Sequence, residues 1–156
     1  MMKFAQESGK SKGQFYTPSE VSRIIARLIG IGKIKASPTK KWTLYDPACG
    51  SGSLLIRAAD EAPVDESGNT IVSIFGQEKD VSTAGLAKMN LILHQKGTGE
   101  IAKGNTLVDP AWTDDFGELR KFDFVVTNPL LSIIYSNFPL EKCCNSRWFL
   151  AQQVIF

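Results

Sequence analysis

The stretch Trp42 to Leu55, Trp-Thr-Leu-Tyr-Asp-Pro-Ala-Cys-Gly-Ser-Gly-Ser-Leu-Leu, constrains this chain more than any other. Its first four residues are β-prone, and the run ends at Asp46 because Pro47 has no N–H to give a ladder. Gly50 and Gly52 permit a backbone turn that a Cβ would obstruct. From Ser53 onward, Leu54, Leu55, Ala58 and Ala59 fall at the spacing of a helix packed on a sheet. Strand, glycine loop and helix start, in immediate succession, make a place where free N–H groups face the anionic part of a ligand. The stretch reads as a cofactor cradle.

The flanking chain extends this pattern. Gly13-Gln14-Phe15-Tyr16-Thr17-Pro18 leads into a helix carrying Val21, Ile24, Ile25, Leu28 and Ile29. Thr17 is its expected N-cap, Pro18 its first helical residue, and Gly30 and Gly32 mark its end. Further strands are expected over 71–76, 101–103 and 122–127. A second long helix over 84–93 is expected to close at Gly97 and Gly99. Near-continuous apolar strands alternating with helices predict an α/β fold, a parallel sheet with flanking helices. Ligands of such sheets sit beyond the carboxyl ends of the strands, where Asp46, Glu78, Asn105 and Asn128 fall.

Composition excludes more than it selects. A length of 156 residues with 43% hydrophobic side chains suits one domain with a real core. A net charge of +2 gives no overall field toward a polyanion, and the scattered lysines read as solvated surface. Three cysteines supply neither a disulfide framework nor zinc-ligand spacing, so no metal site is expected and a reducing compartment fits. The polar N-terminus and the lack of a long apolar run point to a cytoplasmic protein without a membrane segment.

Two strand ends carry chemistry. Glu78, one strand beyond the glycine loop, is placed to accept hydrogen bonds from ribose hydroxyls. A dinucleotide fingerprint does not fit, because its third glycine position holds Leu55, and no Gly-Lys-Ser/Thr follows as a P-loop requires. Asn128-Pro129 follows the most apolar strand. An amide oxygen and a backbone carbonyl there can accept both N–H bonds of an exocyclic amine, which frees its lone pair for attack.

These residues carry a resemblance. Asp46-Pro47-Ala48-Cys49-Gly50-Ser51-Gly52-Ser53 resembles motif I of the amino-group DNA methyltransferases, and Gly13-Gln14-Phe15-Tyr16-Thr17-Pro18 resembles their upstream methionine clamp. Gly76-Gln77-Glu78-Lys79-Asp80, Gly104-Asn105-Thr106-Leu107 and Asn128-Pro129 match the later motifs in the same order. That order is similar to the modification subunits of type I restriction systems and their type IIG relatives. The resemblance implies a Rossmann-like S-adenosylmethionine-dependent methyltransferase fold acting on N6 of adenine in DNA. It also implies a specificity (S) subunit and a restriction (R) subunit as partners. Tyr16, Thr17 and Pro18 are then expected to border the methionine moiety, Asp46 to face its ammonium group, and the Ala48, Cys49, Gly50, Gly52 and Ser53 backbone its carboxylate side. Glu78 is assigned the ribose, and Asn105, Thr106 and Leu107 the cofactor adenine, with the Asn105 side-chain oxygen accepting from its amino group. Asn128 and Pro129 are assigned the target amine, after the target base has left the stack.

The chain departs from that pattern in two places. The family loop reads Asn-Pro-Pro-aromatic, whereas here Leu130 and Leu131 follow Pro129. An aromatic stacked on a flipped base is worth about 1–3 kcal/mol, and Leu131 offers only apolar cover. Residues 130–156 are also too few for the remaining strands and helices of the family sheet. The expected layout is a loose 1–12, a cofactor-binding half over 13–129 and a divergent tail over 130–156, with the fourth strand left as an unpaired edge. An inactive cofactor-binding remnant is the alternative to an enzyme, and RNA bases or protein glutamine side chains are the alternative acceptors. Cys49 reads as a small packed side chain, and Cys143, Cys144 and His94 as residues without a chemical role.

Overall fold

In a computed structural model the chain forms α1 (Ser19–Ile29), β1 (Trp42–Asp46), α2 (Ser53–Asp60), β2 (Val72–Glu78), α3 (Val81–Leu93), β3 (Glu100–Lys103), β4 (Phe122–Thr127) and β5 (Cys144–Leu150). The structure describes residues 17–37, 39–96 and 98–128 in full and 144–150 as backbone. All five strands are parallel, in the order β3-β2-β1-β4-β5. The chain therefore winds outward from β1 to β3, then crosses back to place β4 on the other side of β1. That reversal puts the switch point, where such sheets bind ligands, between β1 and β4.

Strand alternation sorts most of the core onto two faces, and an irregularity between Phe122 and Phe124 puts Phe122 on the face of Val125. Leu44, Ile74, Phe124 and Val126 face α1 and α2, where they meet Ile25, Ile29, Leu54 and Leu55. Tyr45, Phe75, Phe122 and Val125 lie on the other face with Trp112 and Leu119. Tyr45 stacks on Phe122 with ring centroids 4.4 Å apart, and Trp112 meets Phe75 edge-on at 5.0 Å. β2 needs Gly76 at its centre, because a Cβ there would come within 3.1 Å of Ile101, Leu55 and Cys49. The glycine lets helix and loop lie directly on the strand.

The element boundaries differ from the sequence reading where local rules meet tertiary contacts. Helix α1 begins at Ser19 with Pro18 at the N-cap, and no side chain caps it. Thr17 is buried, and its hydroxyl is engaged by Asn128 instead. Helix α3 does not run to the glycines. It ends at Leu93 with the exposed His94 as its C-cap, after which Gln95 takes a positive φ of 57°. Gly97 lies outside the described residues, and Gly99 packs where a Cβ would sit 2.8 Å from Leu91 Cδ1. β2 extends through Gln77 and Glu78. The expected free edge on β4 is absent, since residues 144–150 pair with it in parallel. No period in that segment announces a strand, because its pairing is decided by the β4 edge rather than by its own composition.

One tie along the β1–β4 seam has only a weak local signal, an acidic residue in an apolar strand. The Asp123 carboxylate accepts the Thr43 amide at 3.0 Å and the Thr43 hydroxyl at 2.9 Å, while the Asp123 amide donates back to Thr43 Oγ1 at 2.9 Å. Lys40 Nζ closes the group at 2.9 Å. These side chains stand in for ladder bonds where the two central strands begin. Among the described residues no helix is long and apolar enough to cross a membrane.

Asp123→Ala strips three donors of a charged, largely buried acceptor. The expected loss is about 2–3 kcal/mol of unfolding free energy, read from urea midpoints at constant m-value. A loss below about 0.5 kcal/mol would show that the seam does not need this tie.

Candidate functional site

With every strand parallel, the ends of β1, β2, β3 and β4 open on one side, and specific bonds draw their loops together. The Gly50 amide donates to Glu78 Oε2 at 3.0 Å, and the Asp80 amide donates to Glu78 Oε1 at 2.9 Å. The Cys49 amide meets the Gln77 carbonyl at 3.0 Å. The loop after β3 is fastened twice, by the Gly104 amide on the Glu78 carbonyl and by Thr106 Oγ1 on the Pro47 carbonyl at 2.6 Å. Asn128, at the end of β4, donates from Nδ2 to Thr17 Oγ1 at 2.9 Å. A cleft with about 50 Å³ enclosed is lined by Thr17, Asp46, Ala48, Cys49, Gly50, Ser51, Ser53, Leu54 and Asn128. Residues from the clamp, the glycine loop and the Asn-Pro step thus share one wall.

The glycine loop works differently from the expectation that its amides stand free. Gly50 and Gly52 do take positive φ, 55° and 78°. Yet the Ala48 amide is held by Asp46 Oδ1 at 2.9 Å, that of Cys49 by Gln77, that of Gly50 by Glu78, and that of Gly52 by the Cys49 carbonyl at 2.8 Å. The loop spends these donors on its own shape. What remains for an anion is the first turn of α2, whose N–H groups have no acceptor one turn earlier, and Ser53 and Leu54 line the cleft there.

Asp46 is 1% exposed. Burial pushes its pKa from 3.8 up to about 7, and the nearby Glu78 charge pushes it further the same way. The Ala48 amide opposes the rise. The same burial, with the Asp46 and Glu78 charges behind it, raises the Cys49 thiol, so this side chain is packed and unreactive.

Several predicted residues take other tasks. Asn105 Oδ1 accepts the Leu107 amide at 3.2 Å in a local turn, and Thr106 is buried as a fastener. Leu107 is exposed, as is Pro18. Tyr16 and Pro129, with Leu130, Leu131 and Cys143, lie outside the described residues, and β5, which begins at Cys144, is described only as backbone. Sequence reasoning also passed over two supports. Gln77, fully buried, donates to the Asp109 carbonyl and accepts from the Ala111 amide, both at 2.9 Å, pinning the long connection that follows β3. Asn90 on α3 donates to the Ser51 carbonyl at 2.9 Å and steadies the loop from outside. A polar side chain in an apolar strand is itself the signal for Gln77, since burial obliges it to find partners. A larger groove of about 400 Å³ runs beside β3 between Lys88, Ile92 and Trp112, and none of the predicted residues lines it. Among the described residues no three His, Cys, Asp or Glu side chains gather as a metal would need.

A family model described as N-6 DNA Methylase matches residues 1–153. The chain belongs to the N-6 DNA methylase family. Within that family it is 36% identical over 138 residues to the type I restriction enzyme MpnII methylase subunit of Mycoplasma pneumoniae, covering 85% of this chain and 24% of that protein. It superposes with a TM-score of 0.65, at 32% identity, on a crystal structure of a type I restriction-modification methyltransferase subunit from Streptococcus thermophilus, covering 81% of this chain and 25% of that one. This N-6 DNA methylase chain therefore spans about a quarter of the length of those relatives. An RNA methyltransferase from Salinibacter ruber, in complex with S-adenosyl-L-homocysteine, shares the fold at a TM-score of 0.59 and 19% identity, over 84% of this chain and 72% of that one. The parallel sheet with flanking helices is thus that of S-adenosylmethionine-dependent methyltransferases.

Asp46 makes stability depend on pH in a defined direction. Its folded pKa of about 7 exceeds the ordinary 3.8, so the unfolded chain ionises first and stability falls as pH rises from about 4 to about 7. The whole cost is roughly 4 kcal/mol. Asp46→Asn keeps an acceptor for Ala48 and removes the charge, so its advantage over wild type should grow across that window and level off above it. Urea midpoints at pH 4.5, 6 and 8 measure this, and a pH-independent difference would refute it.

Proposed function

We propose that this chain is the cofactor-binding part of a type I modification subunit. It seats S-adenosylmethionine in the cleft and presents Asn128 and Pro129 to N6 of a flipped adenine in DNA. Asp46 is the observation that carries the reading. A carboxylate kept in a buried, partly apolar place, at a cost to folding, is matched by a cationic ligand that restores its charge. The donor set fits the rest of the cofactor. The first turn of α2 meets the amino-acid carboxylate at Ser53 and Leu54. Glu78 keeps a second lone pair on each oxygen for ribose hydroxyls beyond the two amides it already holds.

Bound there, S-adenosylmethionine supplies an electrophilic methyl group on sulfonium. The chain's part is positional. Asn128 Oδ1 and the Pro129 carbonyl accept the two N–H bonds of the target amine, which draws its nitrogen toward tetrahedral geometry and frees the lone pair. Thr17 and Asp46 hold the amino-acid end of the cofactor so that the methyl lies in line. Sequence recognition belongs to an S subunit and cleavage to an R subunit. A cytoplasmic location suits that work. A second reading, a chain that holds the cofactor but transfers nothing, is favoured by Leu130 and Leu131 at the places of proline and aromatic.

Calorimetry with S-adenosylmethionine tests the seat. Since the cation needs ionised Asp46, affinity should rise about fivefold to eightfold from pH 6 to pH 7.5, with proton release at the lower pH. Asp46→Asn should bind weakly and without that dependence. No binding at any pH would end the proposal. Tritium transfer from labelled cofactor to unmethylated DNA separates the two readings, and binding without transfer selects the second.

A further inference from the structure

We infer that Thr17 is a positioning residue for the acceptor base: its hydroxyl orients the Asn128 amide and couples that orientation to an occupied cofactor seat. The inference rests on the cofactor reading above and goes beyond it, since that reading gives Thr17 to the cofactor alone.

The need for such a residue follows from amide geometry. The last torsion of an asparagine is broad and roughly two-fold, so nothing intrinsic decides whether oxygen or nitrogen faces the cleft. The choice matters here. An exocyclic amine brings two N–H donors, and Nδ2 turned toward it would oppose donor with donor. Thr17 Oγ1 lies 2.9 Å from Nδ2 and receives its hydrogen. Oxygen and nitrogen diverge from one carbon, so fixing Nδ2 on Thr17 turns Oδ1 away from it. Among the described residues no donor engages Oδ1. Thr17 is 6% exposed, so water does not readily replace this contact.

The coupling follows from the hydroxyl. Thr17 Oγ1 uses a lone pair on Asn128, which leaves its own hydrogen to give, and Thr17 lines the cleft beside Ser53 and Leu54. An amino-acid carboxylate seated there accepts that hydrogen. Donation to an anion makes the oxygen a better acceptor, and hydrogen bonds in a chain strengthen one another. The cofactor therefore firms the acceptor loop before a base arrives. The two ends of this relay are 111 residues apart in the sequence.

The full chain labelled with nitrogen-15 provides the test. The Asn128 side-chain NH₂ pair, assigned by its loss in Asn128→Ser, should exchange with solvent about fivefold to tenfold more slowly than a free asparagine amide. Thr17→Val, nearly the same shape, should abolish that protection, and Thr17→Ser should restore it. Saturating S-adenosylmethionine should slow exchange further in wild type and Thr17→Ser but leave Thr17→Val unmoved. Unaltered exchange in Thr17→Val, or no rescue by serine, overturns the positioning role. Cofactor bound by calorimetry without any change at Asn128 overturns the coupling. If calorimetry shows no binding, the cofactor reading falls with the coupling, while the valine and serine comparison still decides whether Thr17 orients Asn128.

Discussion

The hydrogen bond from the Gly50 amide to the Glu78 carboxylate ties the loops after β1 and β2 together and fixes the glycine turn that lines the cleft. A parallel sheet only guarantees that its carboxyl ends share a side; it does not bring their loops into contact. Glu78 does so by holding the glycine loop with one oxygen and the start of α3 with the other. Gly76, two residues earlier, allows the approach by leaving space for Cys49 and Leu55. The remaining fasteners, Thr106 on Pro47 and Gln77 on the connection after β3, add the third loop to a pair already joined.

The site is built against the stability of its own fold. Asp46 is desolvated beside another acid, and the Cys49 thiol next to it is pushed away from reactivity by the same surroundings. The glycine loop shows the complementary economy, with four amides used to hold its curve rather than offered outward. Rigidity of the loop thus comes from both carboxylates, Glu78 holding the Gly50 amide and Asp46 the Ala48 amide.

How far the chain could be read without coordinates depended on how local each signal was. Strands β1 and β4, the glycine turn and the placing of Asp46, Glu78, Asn105 and Asn128 at or just after strand ends are written in apolar runs, proline and glycine, and the fold follows from their alternation. Capping rules see only neighbours in sequence and make Thr17 a helix cap, whereas Asn128 competes for its hydroxyl from the end of β4. The strand at 144–150 was missed for the same reason, since only the β4 edge selects it. Asp123 and Gln77 gave weak signals, a polar residue in an apolar strand, whose partners no spacing rule supplies.

The central place of β1 also orders the events of folding. Its pairing with β2 spans one short helix, but its other neighbour is held through Thr43 and Asp123, 80 residues apart. Closing the longer loop carries the larger entropy loss, so loop entropy by itself favours pairing of β1 with β2 before β4 joins. A nascent chain therefore owns the loops after β1, β2 and β3 before it owns Asn128, so one wall of the cleft exists before the residue opposite it has been made.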